Sequence, residues 1–279
     1  MSLPISFEFF PPKTDEQRVV LNNAHRQLSE YKPEYFSVTF GAGGSTREFT
    51  RDTVMDLHER YQNATPHLSC LGASVAEIEQ LLNDYREAGI NRLVALRGDM
   101  PSGMASAGEL RYANELVEFA RAKHGNHFNI QVACYPEFHP QCETAAADLR
   151  NFKRKVDAGA DGAITQYFFN ADAYFRFVDD CTAVGIDIPI VPGIMPITNY
   201  SQLARFSEMC GAELPRWLRK RLRDFGDDRA AIASFGVEFI TDMCQRLIDG
   251  GAPGLHFYTL NRAKATKQIC QGLGLNSAE

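Results

Sequence analysis

The segment Phe7-Glu8-Phe9-Phe10 sets one carboxylate among three phenylalanines. A carboxyl withdrawn from water holds its proton more tightly, so Glu8 could keep a proton near neutral pH and donate it. Strand alternation also allows Glu8 to face outward or to pair with a lysine or arginine, and the position alone leaves both open. Asp99 follows Arg97 and Gly98 where an apolar run ends. Its two oxygens could take paired hydrogen bonds from an amino-pyrimidine ring edge, or cap a helix. The run GAGGST at 41–46 offers backbone N–H groups that can approach a phosphate or a ring. It matches neither GxGxxG nor a Walker A pattern, so alone it reads as an ordinary turn.

A helical stretch over 143–158 carries Asp148, Asn151 and Lys155 at i, i+3 and i+7, hence on one stripe, with Arg154 further round. Ala145, Leu149, Phe152 and Val156 form the adjoining stripe, expected to face the core. The polar stripe then runs along the edge of the packed face, where it could follow a ligand or be a solvated face with an internal Asp–Lys pair. The basic run RWLRKRLR at 216–223 could be an anion patch. The favoured reading is a solvated amphipathic helix with Trp217, Leu218 and Leu222 inward, partly neutralised by Asp224, Asp227 and Asp228. His124 and His127 read as a surface loop. No HExxH or His/Cys cluster points to a metal, and no GxSxG or Cys–His pattern points to a covalent hydrolase.

These residues need a frame. Strands are expected at 5–10, 35–40, 66–71, 92–96, 129–135, 162–167, 188–192 and 254–258, with helical segments between them. Alternation of this kind implies a parallel sheet with right-handed crossovers, and eight repeats without a composition break favour a closed (β/α)8 TIM barrel. Thr14…Gln17, Ser45…Glu48 and Ser74…Glu77 have capping-box spacing, each just after a strand. Helices are expected near 199–210, 215–224 and 229–249, between the last two strands. In such barrels the C-terminal strand ends face the ligand. Those ends carry Glu8, Thr39, His67, Arg97-Gly98-Asp99, Tyr135 with Glu137 and His139 just beyond, Gln166, and Tyr258 with Asn261 and Arg262 following. That density of polar groups favours an enzyme.

Composition narrows the classes. At 279 residues the chain suits one barrel of about 250, so a single domain over 1–279 is expected. A net charge of −6 disfavours nucleic acid and anionic membranes as partners. Seven scattered cysteines without a CxxC read as reduced thiols in a cytoplasmic protein. The first residues lack the pattern of a signal peptide, and no apolar stretch approaches the roughly 20 residues of a membrane helix.

FEFFPPK at 7–13, SVTFGAGG at 37–44, PHLSC at 66–70, ALRGD at 95–99, YPEFHP at 135–140, NFKRKVDAGAD at 151–161, AITQYFF at 163–169, PGIMPITN at 192–199 and HFYTLNR at 256–262 together resemble the methylenetetrahydrofolate reductase family, in order and over nearly the whole chain. The resemblance is to the bacterial, single-catalytic-domain type. It implies noncovalent FAD and a ping-pong reaction. NADH or NADPH reduces the flavin and leaves, and 5,10-methylenetetrahydrofolate then binds in the same place and becomes 5-methyltetrahydrofolate, feeding methionine synthesis. By resemblance Glu8 is the general acid for ring opening. Asp99 lies beside flavin and pterin, where its charge would stabilise a cationic iminium. Thr39, His67, Arg97, Gly98, Asp99, Tyr112, Tyr135, His139, Asp148, Asn151, Arg154 and Lys155 hold FAD. Gln166 contacts the pterin, and Gln202, Phe206, Tyr258 and Arg262 line the pocket shared by folate and nicotinamide. No metal is implied, and a homo-oligomer is. The run at 216–223 departs from the bacterial pattern, which leaves its part in oligomer contacts or in binding the folate tail open. The rivals are another flavin barrel, of the proline dehydrogenase kind, and a non-catalytic folate- or nucleotide-binding barrel.

Overall fold

The computed structural model describes residues 3–40, 45–61, 63–98 and 108–275. The segment 41–44 and Asp99 lie outside the described residues. Strands β1 (Ile5–Phe9), β2 (Tyr35–Val38), β3 (Ala64–Ser69), β4 (Arg92–Leu96), β5 (Asn129–Cys134), β6 (Gly162–Thr165), β7 (Ile190–Val191), β8 (Gly193–Ile194) and β9 (Leu255–Tyr258) pair in parallel, in the order β7-β6-β5-β4-β3-β2-β1-β9-β8. The two ends of that order are halves of one run, 190–194. Pro192 has no N–H to give and breaks the run in two. The first half pairs with β6 and the second with β9, while the Pro192 carbonyl accepts from His256 N at 3.1 Å. The sheet thereby comes round into a TIM barrel. The expected strand at 188–192 is therefore corrected to 190–194: Ile188 is strand-like, but Pro189 has no N–H to give and the β6–β7 ladder starts at Ile190.

Alternation sorts the side chains. Phe7 and Phe9 are fully buried and point outward; Phe9 meets His25 of helix α1 (Asp15–Ser29). Ser6 and Glu8 point into the barrel. Gly193 sits where a Cβ would fall 2.2 Å from the Thr165 carbonyl oxygen and 2.6 Å from the Tyr258 ring, so only glycine closes the barrel there.

The crossovers are α2 (Ser45–Tyr61), α3 (Val75–Glu87), α4 (Ala113–His124), α5 (Ala145–Asp157) and α6 (Ala171–Ala183). Thr14 caps α1, Ser74 and Glu77 form a full capping box on α3, and Thr144 caps α5. Between β8 and β9 lie α7 (Tyr200–Cys210), α8 (Arg216–Asp224) and α9 (Arg229–Asp249), within a residue of the expected bounds; α10 (Lys264–Gly272) follows β9. Gly236 lets α9 approach the Ile197 carbonyl, 2.2 Å from where a Cβ would stand.

Three local expectations are corrected. In α8, Leu218 and Leu222 are buried, but Trp217 is 53% exposed and meets Phe239 edge-on, because it lies about 100° round the helix from the i, i+4 stripe. In α5, Phe152 is buried and Leu149 and Val156 pack against the core, whereas Ala145, in the first turn, is exposed. His124 ends α4 rather than lying in a loop, and both His124 and His127 pack edge-on against Phe128.

Candidate active site

Glu8 is next to last in β1, beside Ser37 of β2 and Tyr258 of β9 in the ladder. Its backbone is fixed from the rim: Thr259 donates to the Glu8 carbonyl at 2.6 Å, and the Asn261 amide both accepts from Phe10 N at 2.8 Å and donates to Phe10 O at 3.0 Å. Its side chain, 11% exposed, faces two imidazoles, with Oε2 3.4 Å from His67 Nε2 and 3.6 Å from His256 Nε2. The three phenylalanines that flank it in sequence do not enclose it. Phe7 and Phe9 face the helices and Phe10 is 43% exposed, so the barrel interior is what withdraws Glu8 from water.

Burial holds the His67 imidazole down to about 4, against a weaker upward pull from Glu8, so His67 is neutral at pH 7. The pair is thus a close polar contact and not an ion pair. His256 is oriented from behind, its Nδ1 2.7 Å from Ser6 Oγ. Tyr258 donates to the Thr165 carbonyl at 2.7 Å, and burial drives its phenol well above the usual range. Ser6 and His256 were missed in the sequence, although counting by twos from Glu8 and Tyr258 places both on the inward face.

Beyond β5 the chain turns so that Tyr135 and His139 stack edge to face at 4.6 Å. The His139 amide donates to Asp148 of α5 at 3.0 Å, and Arg97, from the end of β4, bonds Gln141. Gly98 holds φ +88, and a Cβ there would strike Ser69 Oγ at 2.0 Å. Along α5, Asn151 donates toward Cys142 and accepts from Arg154. Lys155 donates to the Ala133 carbonyl, and burial lowers its pKa. No carboxylate of the described residues lies within ion-pair distance of it, so the internal Asp148–Lys155 pair does not form. Arg154 opens onto a groove of about 410 Å³ between α4 and α5, lined also by Asn114, Glu118 and Arg121.

Thr39 continues from β2, its amide on the Phe9 carbonyl at 2.9 Å. Gln166 leaves β6 half-buried and accepts from Tyr167 N at 3.0 Å. Gln202 and Phe206 are half-buried on α7, which is held near Tyr258 through Tyr167: the Tyr167 and Tyr258 rings are 6.1 Å apart, and the Tyr167 hydroxyl is 3.2 Å from Ser207 Oγ. Among the described residues, Tyr112, 57% exposed, and the exposed Arg262 make no side-chain hydrogen bond to the other candidates. No helix of the described residues is long and apolar enough to cross a membrane.

A protein family described as methylenetetrahydrofolate reductase matches residues 2–274. The 5,10-methylenetetrahydrofolate reductase of Escherichia coli K12 is 42% identical over 272 residues, covering 97% of this chain and 90% of that one. Methylenetetrahydrofolate reductase (NADH) 1 of Arabidopsis thaliana is 38% identical over 288 residues, covering 97% of this chain and 48% of the longer plant protein. Among solved structures, an uncharacterized protein from Clostridium thermocellum, described as binding two copies of 5-methyl-5,6,7,8-tetrahydrofolic acid, superposes with a TM-score of 0.68 at 14% identity, over 99% of this chain and 94% of that one; this likeness speaks to the fold alone. With a family match over nearly its whole length and a bacterial relative at 42% identity, the chain belongs to the methylenetetrahydrofolate reductase family.

Proposed function

We propose that this chain reduces 5,10-methylenetetrahydrofolate to 5-methyltetrahydrofolate by a ping-pong route, with FAD as cofactor and NADH or NADPH as donor, and with Glu8 as general acid. The observation that carries the reading is the Glu8 carboxylate, enclosed at the ligand-facing end of the barrel and set 3.4 Å and 3.6 Å from two imidazole nitrogens. The NADH in the name of the plant relative favours NADH.

FAD fits the donor set. Among the described residues, the Lys155 ammonium has only a neutral carbonyl as hydrogen-bond partner, with Asn151 and Arg154 beside it on one helix, an arrangement suited to a diphosphate and ribose. Thr39, His67, Arg97, Gly98, Asp99, Tyr112, Tyr135, His139 and Asp148 complete the proposed FAD set. When bound, FAD supplies the hydride-transfer chemistry that no side chain can supply.

The remaining work belongs to the chain. Glu8 delivers a proton to the nitrogen that departs as the five-membered folate ring opens. Ser6 fixes the His256 ring so that Nε2 faces the acid, and neutral His67 puts no cation on its other side. Asp99 is assigned to the cationic iminium. Gln166 takes the pterin edge, and Gln202, Phe206, Tyr258 and Arg262 line the shared pocket, where Phe206 can stack on an aromatic ring. The same reading makes the protein a cytoplasmic homo-oligomer with one domain over 1–279 and no nucleic-acid or membrane partner; seven free thiols suit a reducing compartment.

The test is the visible spectrum of the purified protein under anaerobic conditions. A flavin spectrum that bleaches with NADH and returns with methylenetetrahydrofolate is the expected result. A colourless protein that takes up no added FAD would overturn the proposal.

A further inference from the structure

Glu137 stands in the same loop as Tyr135 and His139, yet no role above uses it. The loop turns sharply: Phe138 adopts φ +56, in the left-handed region that a bulky residue seldom enters, and its amide bonds the Tyr135 carbonyl at 3.2 Å. The turn sends neighbouring groups to two different elements. On one side the His139 amide meets Asp148 of α5. On the other, Glu137 Oε2 accepts from the backbone amide of Glu213, just past the end of α7, at 2.7 Å.

One further approach joins the same two elements, and a second contact ties α7 to the segment after β6. Gly211 ends α7 at φ +74, and a Cβ there would stand 3.0 Å from Pro140 of the loop. Tyr167, next to Gln166, receives the Cys210 thiol of α7 at 3.2 Å beside its contact with Ser207. Burial pushes the Glu137 carboxyl up to about 7, with the Glu213 carboxylate adding to the effect. A carboxyl held at that desolvation cost for one backbone amide serves the joint it makes.

We infer that Glu137 is a positioning residue that locks loop 135–142, which carries Tyr135 and His139 of the proposed FAD set, to the segment just past the C-terminal end of α7, so that the helix carrying Gln202 and Phe206 is held in one position against that loop. The inference rests on the proposed function, in which α7 is a wall of the shared pocket. It makes Glu137 a determinant of folate and dinucleotide affinity without contact with either, acting through reach and hydrogen-bond acceptance rather than charge.

The test compares Glu137→Asp, Glu137→Gln and Phe206→Ala in the FAD-loaded full chain. Aspartate keeps the charge but falls one methylene short of the Glu213 amide; glutamine keeps the reach and an acceptor oxygen. Glu137→Asp is expected to raise KM for methylenetetrahydrofolate and NADH about tenfold, with kcat within twofold and flavin content unchanged. Glu137→Gln is expected to stay within twofold of the parent in every respect. Parent-like KM values in Glu137→Asp overturn the inference, as does an impaired Glu137→Gln beside a normal Glu137→Asp, or flavin loss from Glu137→Asp without a change in KM. If Phe206→Ala raises KM and Glu137→Asp does not, the Glu137 inference alone fails. If neither moves KM, the α7 wall of the proposed function fails with it.

Discussion

Glu8→Gln separates the acid from everything else in the site. Glutamine matches the shape of the carboxyl and removes its proton. The local fold should tolerate it, because Thr259 and Asn261 hold the backbone and not the side chain. The side chain can also donate an N–H toward His67 Nε2 or His256 Nε2, both buried without a hydrogen-bond partner among the described residues. A positioned general acid is worth about 10²–10⁴ in rate, or about 2.7–5.5 kcal/mol of barrier. That loss should fall wholly on ring opening of the folate. Anaerobic rapid mixing resolves the two half-reactions: bleaching of the flavin by NADH should keep its parent rate within twofold, while reoxidation by methylenetetrahydrofolate should slow at least a hundredfold. Reoxidation at the parent rate would refute the acid assignment. Equal slowing of both half-reactions would show that Glu8 places the flavin and does not donate the proton.

Lys155→Met keeps the length of the stem and deletes a buried ammonium that has no carboxylate partner. It should weaken FAD at least tenfold, read by fluorescence on dilution, while Tm holds or rises; unchanged FAD affinity would remove Lys155 from the diphosphate site. Gly193→Ala drives a methyl into the Thr165 carbonyl and the Tyr258 ring and should cost about 2 kcal/mol or more, seen as a lower urea midpoint. A parent-like midpoint would mean that the closing strand yields freely. Acid stability tests the interior histidine. Burial lowers the His67 pKa from 6.5 to about 4, so below pH 6.5 the unfolded chain takes up a proton that the native state refuses. This contribution is fully present above pH 6.5 and is lost as pH falls toward 4, at about 3 kcal/mol. His67→Asn should therefore lose less stability than the parent between pH 7 and pH 4.5 in urea titrations, and equal losses would refute the argument.

The barrel was legible because its cause is local. Period-two alternation recurs along the strands, side-chain caps start α1, α3, α5 and α6, and α7, α8 and α9 fall within a residue of the bounds their periodicity predicts. The seventh strand is expected two residues early because Ile188 extends an apolar run across Pro189, and which residues enter the ladder is decided by β6 and β9. Trp217 was misplaced because hydrophobicity was counted without the angle that separates it from Leu218 and Leu222. Glu8 was the right residue for a partly wrong reason: the same alternation that turns its carboxylate inward turns Phe7 and Phe9 away from it. The joint between Glu137 and Glu213 had no signal at all. It spans 76 residues and ends on a backbone amide, and no residue type announces an amide as an acceptor's target.

Inside the barrel, the groups behind Glu8 are polar where apolar packing would be more stabilising. Ser6, Ser37, Thr65, Gln131 and His256 are all buried, and each needs a partner to offset its desolvation. Ser6 and His256 satisfy each other at 2.7 Å, a contact that also fixes the geometry of the ring. The Ser6 bond both satisfies a buried imidazole nitrogen and aims the ring at the acid, so stability and chemistry draw on one contact. A substitution such as Ser6→Ala should therefore act twice. It frees the His256 ring to turn from Glu8, and it leaves Nδ1 buried without its partner, a cost of about 1–3 kcal/mol. If Ser6 served packing alone, Ser6→Ala would shift the urea midpoint and leave reoxidation of the flavin by folate unchanged. On the present geometry both should fall together, and Ser6→Thr, which keeps the hydroxyl, should recover the rate more fully than the stability, because its extra methyl must fit among buried side chains.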